Sequence, residues 1–195
     1  MRRLIGISTV VWCIAALVAG AVGPAAAQTV TPSTFTTQVC AAVATADQAV
    51  KTSSAALKAA AQAYQSAPSP TTAAALRDAM TQTAQDLDQG LATVLAAIQQ
   101  SGTPTKGADF VAALVSSLET QRTLAQQLAQ HSAAIDVTSS AAFTSGFQQL
   151  VKESKAASKQ ARSAIKRNPA IMHAARAFRP LLHFSTTKAG TCGKV

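Results

Sequence analysis

The stretch that decides the fold is Val39–Tyr64, VCAAVATADQAVKTSSAALKAAAQAY. Within it Val39, Val43, Ala46, Val50, Ser53, Leu57, Ala60 and Tyr64 recur at alternating steps of four and three. A helix turns by about 100° per residue, so these steps keep the side chains on one seam. The pattern predicts a single helix from about Ser33 to Ser66 carrying a heptad stripe. Many seam residues are Ala or Ser; they bury little area each and let a neighbouring helix approach closely. Upstream, Thr31-Pro32-Ser33 is a start signal, with Ser33 or Thr34 as the candidate N-cap.

Working outward, Ala67-Pro68-Ser69-Pro70-Thr71 is a turn that a helix does not cross. A second helix is expected from Pro70 to Gln100, with Leu76, Met80, Thr83, Leu87, Leu91, Val94 and Ile98 on its buried side. Gly102, Pro104 and Gly107 make the next segment a loop. A third helix follows from Ala108 to Gln130, using Phe110, Leu114, Leu118, Leu124 or Ala125, and Leu128. His131 to Thr138 reads as a link, and Ser139 or Ser140 as the cap of a fourth helix.

The fourth helix, Phe143–Arg167, has two opposed faces. Phe143, Phe147, Leu150, Ala157, Ala161 and Ile165 gather on one side. Lys152, Lys155, Lys159, Arg162 and Lys166 fall within an arc of roughly 80° away from them. Asn168-Pro169 stops the helix, because the residue before proline is pushed out of the helical region. Pro169 can open a short fifth helix that ends before Pro180. Alternating β-branched runs are absent, while Ala and Gln dominate. The expected fold is therefore all-α: an up-down-up-down four-helix bundle with a short C-terminal fifth helix.

The N-terminus reads differently. Arg2 and Arg3 precede an apolar run, Leu4–Val22; Gly23-Pro24 then breaks any helix before Ala25-Ala26-Ala27. That is the pattern of a secretory signal peptide, residues 1–27, cleaved after Ala27. Glycines, Ser8 and Thr9 within the run argue against an uncleaved anchor. The expected mature protein is a single helical domain, residues 28–195, secreted across the membrane.

Removing the leader leaves two cysteines, Cys40 and Cys192. In an oxidising compartment a distant, even pair reads as a disulfide rather than a metal site. The loop it would close is about 150 residues, for which the chain-entropy estimate is near 5 kcal/mol. The bundle topology suits it, since the chain leaving Arg167 would emerge at the end of the bundle that holds Cys40.

Charge is concentrated at the C-terminus. Between Gln28 and Val151 five basic residues face seven acidic ones; from Lys152 to Val195 ten basic residues face Glu153 alone. Such asymmetry suggests contact with an anionic surface or polymer. Its bland counterpart is a solvated helix face that keeps the protein soluble.

Other chemistry finds little to work with. His131, His173 and His183 are not spaced as metal ligands, and no metal or other cofactor is expected. There is no Gly-x-Ser-x-Gly elbow. Asp86 and Asp88, two apart, point to different sides of their helix. Gly102–Gly107 lacks the phosphate-loop order. Phe143 and Phe147 face the core, which leaves few rings for stacking on bases and argues against specific nucleic-acid binding. Only a cluster of His131, Asp136 and a serine would revive an enzyme.

The function expected is non-enzymatic. The chain would dock on anionic envelope lipids or wall polymers through Lys152, Lys155, Lys159, Arg162, Lys166 and Arg167. The alternative is a carrier of a small apolar ligand between the helices. The segment Ala170–Phe184, both cationic and apolar, would serve as a lid across the bundle end rather than lie in a membrane interface.

Overall fold

Thr31 begins the first helix: its side chain accepts the N–H of Thr34 at 3.1 Å, and Pro32 takes the first helical position. Proline fits there because its missing N–H would have had no helical partner. The cap therefore falls two residues before Ser33. The computed structural model describes residues 29–172 together with Phe178 and Leu181. At positions 161, 162, 164–167, 171 and 172 it describes the backbone. The expected signal peptide and Cys192 lie outside the described residues.

The chain is all-α in these regions, with four long helices. In order, they are α1 (Pro32–Ser66), α2 (Pro70–Gln100), α3 (Ala108–Ala133) and α4 (Ser140–Arg167), followed by the short α5 (Pro169–Met172). Ser69 and Thr72 form a reciprocal capping box at the start of α2. Ser139 accepts the N–H of Ala142 at the start of α4. Asn168 accepts the N–H of Ala170, which lets the chain turn from α4 into α5.

α1 and α2 pack antiparallel. Gly90 of α2 lies against Ala46 of α1, and a Cβ on that glycine would sit 3.1 Å from the Ala46 Cβ. Seven residues further along α1, and seven back along α2, the Thr83 hydroxyl donates to the Ser53 carbonyl at 3.3 Å. Small residues thus set a close seam. α2 and α3 also run antiparallel: Thr81 meets Ser132 at 3.0 Å, and Asp88 accepts from Arg122 at 2.8 Å and Gln126 at 2.9 Å. α2 lies between α1 and α3, and α4 packs mainly on α3.

Two apolar clusters form the core. The first gathers Phe35, Val39, Val43 and Val50 of α1, Leu91, Val94 and Ile98 of α2, Phe110 and Leu118 of α3, and Phe178. The second, at the other end, gathers Ala73, Leu76 and Met80 of α2, Ile135 of the link, and Phe143 and Leu150 of α4. Every expected seam residue of α1 and α2 is buried or packs against one of these clusters. In α3 the choice between Leu124 and Ala125 falls to Ala125, which is buried.

Two features depart from the expected plan. β1 (Thr29–Val30) and β2 (Thr103–Pro104) pair in parallel, with the Thr105 N–H donating to the Val30 carbonyl at 2.9 Å. Two-residue strands carry no alternation, so no periodicity announces them. α3 also runs on to Ala133, and Ile135 in the remaining link is buried in the second cluster.

Candidate functional site

α4 is where the expected binding residues lie, and its two halves behave differently. The first half is embedded. Phe143 is buried, with its ring centroid 4.8 Å from that of Tyr64 and 5.9 Å from that of Phe147. Leu150 closes this half as the last described residue of α4 that is fully buried. Gly146 faces Ile135, where a Cβ would meet the Ile135 Cγ2 at 3.1 Å. The glycine makes room for the link to cross beneath α4.

From Val151 to Gln160 no side chain of the helix is fully buried. Val151, Glu153, Ser154, Ala157 and Ser158 are half-buried, while Lys152, Lys155 and Lys159 are exposed. Because α4 continues unbroken to Arg167, its register carries Arg162 and Lys166 onto the same face as these lysines. Arg167, one residue further, lies about 100° round from Lys166. The side chains of Arg162, Lys166 and Arg167 lie outside the described residues. Among the described residues, none of the ion pairs uses Lys152, Lys155 or Lys159.

The single acid of this basic region is turned to another task. Glu153 accepts from the Gln149 amide at 2.8 Å, and its other oxygen lies 2.6 Å from His131 Nδ1 on α3. These contacts, the Gln149 hydrogen bond first and the His131 contact second, hold its carboxyl below the usual 4.5. Glu153 thus ties α4 to α3 while the lysines face outward. The pairing joins residues of two helices 22 positions apart. No local spacing in the sequence signals it.

The residues named for a hydrolytic site are each hydrogen-bonded to other partners. His131 faces Glu153. Asp136 instead accepts the Thr138 N–H at 2.8 Å, a turn contact. This backbone bond, and then the Thr138 side chain, lowers its carboxyl below the usual 3.8. Ser132 bonds with Thr81 and with the Ala129 carbonyl. Among the described residues, no three of His, Cys, Asp and Glu come together as a metal would require. No described helix is long and apolar enough to cross a membrane.

Cys40 is buried in α1, one turn beyond Phe35. Its expected partner, Cys192, lies outside the described residues. The end of α1 that holds Cys40 is also where Phe178 enters the core. That ring is 4.6 Å from Phe110 and 6.1 Å from Phe35, centroid to centroid. Phe178 belongs to a segment read as a lid, but its full burial in the main core was not visible in any helical period.

No protein-family model, curated protein or solved structure matches this chain.

Proposed function

We propose that the chain is an exported, non-enzymatic protein that docks on phosphate-rich anionic surfaces of the cell envelope through the basic face of α4. The observation that carries this reading is the exposure of Lys152, Lys155 and Lys159 on a half-helix in which no described side chain is fully buried. Each of these cations is free of ion pairs among the described residues. The nearby carboxylate is engaged by Gln149 and His131. Arg162 and Lys166 extend the stripe by helical register, and Arg167 adds a charge at its end. A ridge of this kind gathers field from several like charges, which attracts an anionic surface and is screened by salt.

The same reading takes residues 1–27 as a cleaved leader and residues 28–195 as the functional domain. It takes the four helices as closing up-down-up-down, with the link from Cys40 to Cys192 fastening the tail. What supports the closure is the antiparallel packing of α1 with α2 and α2 with α3. What supports the fastening is the burial of Cys40 at the end where Phe178 enters the core.

The test is sedimentation of the mature chain with phosphatidylglycerol vesicles, with phosphatidylcholine vesicles and with an anionic wall polymer. Retention on at least one anionic material, lost in the K152Q/K155Q/K159Q variant and weakened steeply by salt, is the expected result. Retention unchanged by the three substitutions overturns the reading. Vesicle and polymer arms identify which anionic source is used.

A further inference from the structure

The exposed line on α4 is longer than its lysines. Ser145, Gln148, Lys152, Lys155 and Lys159 follow one another at steps of three, four, three and four, and all five are exposed. Helical register gathers them within an arc of roughly 80°. Their neighbours Thr144 and Gln149 are engaged inside the protein, Thr144 by donating to the Ser140 carbonyl and Gln149 by donating to Glu153. Ser145 and Gln148 make no side-chain hydrogen bond among the described residues. The line therefore presents a hydroxyl and an amide in series with three ammonium groups.

The side chains missing from this face narrow what could lie on it. Between Ser140 and Gln160 no exposed side chain is apolar and larger than alanine. A helix that lies in a lipid interface sinks apolar side chains beside its cations. Those of α4 are used inward instead, with Leu150 in the second cluster and Phe147 packed against it. A single strand of nucleic acid is held by rings on which its bases stack, and the line carries none.

We propose that the occupant of this face is a linear polyol-phosphate polymer, its phosphodiester chain lying along α4. This rests on the docking proposed for the same lysines and names the material they dock on. Lys152 to Lys159 rise about 10.5 Å along the helix. A glycerol phosphate repeat has six chain bonds, twice the number in an amino-acid residue, so it extends to roughly 7 Å. Three successive phosphates then span at most about 14 Å, which the flexible lysine stems can match, one ammonium to each phosphate. Gln148 and Ser145 continue the line by about another 10.5 Å and supply donors and acceptors to the hydroxyl-bearing linkers between phosphates. A phosphatidylglycerol bilayer offers the same glycerol phosphate group spread over a plane, which a single row of cations does not match.

The test compares binding of the mature chain to two materials at equal accessible phosphate. One is poly(glycerol phosphate) in solution, followed by the anisotropy of the end-labelled polymer; the other is phosphatidylglycerol vesicles, followed by sedimentation. The polymer is expected to bind more tightly by on the order of tenfold, and its affinity to fall about 20-fold between 50 and 200 mM salt, as for three phosphates neutralised on a single-stranded polyanion. The K152Q/K155Q/K159Q variant should lose most of that salt dependence. Gln148→Glu and Gln160→Glu add the same charge to α4, but Gln160 lies roughly 100° round from the middle of the line. Gln148→Glu should therefore weaken polymer binding by about fivefold or more and Gln160→Glu by less than about twofold, since repulsion falls off with distance from the bound phosphates. Vesicles bound as tightly as the polymer overturn the proposal, as do equal effects of the two glutamates. Lysine-dependent binding to vesicles alone also overturns it, and leaves the docking reading standing. Binding to neither material, or binding that the three lysine substitutions do not change, removes both.

Discussion

The two ends of this helical array are closed by aromatic rings from the last third of the chain, but the rings arrive by different routes. At one end Phe143 projects from the first turn of α4 and packs against Tyr64. Its place follows from a helical period, because Phe143, Phe147 and Leu150 share one face. At the other end Phe178 comes from beyond α5 and stacks on Phe110. Its place depends on a backbone detail: Gly107, which precedes α3, has φ near +92°, and a Cβ there would run into the Phe178 ring. One end is closed by register, the other by a cleft that only glycine leaves open. Closure by register tolerates small errors; closure by a cleft does not.

The strongest way to break this comparison is to remove the rings. Phe178→Ala and Phe143→Ala should each cost about 3–5 kcal/mol, the usual range for emptying a buried phenylalanine site. Denaturant unfolding followed by circular dichroism measures both. The two should differ in where protection from hydrogen exchange is lost. Phe143→Ala should loosen α4 and the link through Ile135, while Phe178→Ala should loosen the starts of α1 and α3 and leave the first half of α4 protected. Identical exchange patterns would mean that the ends are not independent.

Two glycines sharpen the contrast at smaller cost. Gly107→Ala should destabilise by about 2–4 kcal/mol, combining a left-handed conformation that L-residues resist with collision against a buried ring. Gly146→Ala puts its methyl 3.1 Å from a methyl group of Ile135, within a helix where alanine is favoured by about 1 kcal/mol. The two terms oppose each other, so its net effect should stay within about 1 kcal/mol of zero. A Gly146 variant as damaging as the Gly107 variant would show that the second end is as finely fitted as the first.

Much of this fold was legible in the sequence, for a reason the two ends make plain. The seams of α1 and α2 follow from spacing alone, and Ser53 and Thr83 keep their seam places because their hydroxyls bond to main-chain carbonyls. The start of α2 and the end of α4 follow from Pro70 and from Asn168-Pro169, and the end of α2 from the loop that Gly102 opens. What could not be read depends on contacts between distant positions. The β1–β2 pair joins residues with no pattern of their own, and Phe178 reaches Phe35 across most of the chain. On α4 the stripe of lysines was legible as a face. The engagement of its one acid was not, since Glu153 serves His131, 22 positions away on α3.

That last pair gives the smallest predicted effect and tests how firmly α4 is held between its two ends. The Glu153 carboxyl lies below its usual 4.5 in the folded chain, chiefly because Gln149 donates to it, with His131 second. A folded value below the unfolded one means that the fold releases this proton more readily. Its contribution to stability is therefore present above about pH 4.5 and is lost as the pH falls through the folded value. Glu153→Gln should flatten that part of the stability curve, with a change at neutral pH of no more than about 1 kcal/mol, as for other half-exposed pairs. Asp136, lowered by the Thr138 backbone bond, contributes with the same sign in the same acid range. Asp136→Asn must therefore be compared with Glu153→Gln to apportion the slope. Urea midpoints between pH 3 and 7 supply the measurement. If Glu153→Gln leaves the acid slope intact while Asp136→Asn removes it, the Glu153–His131 contact is not a tie, and the first half of α4 is held by its apolar packing on the second cluster.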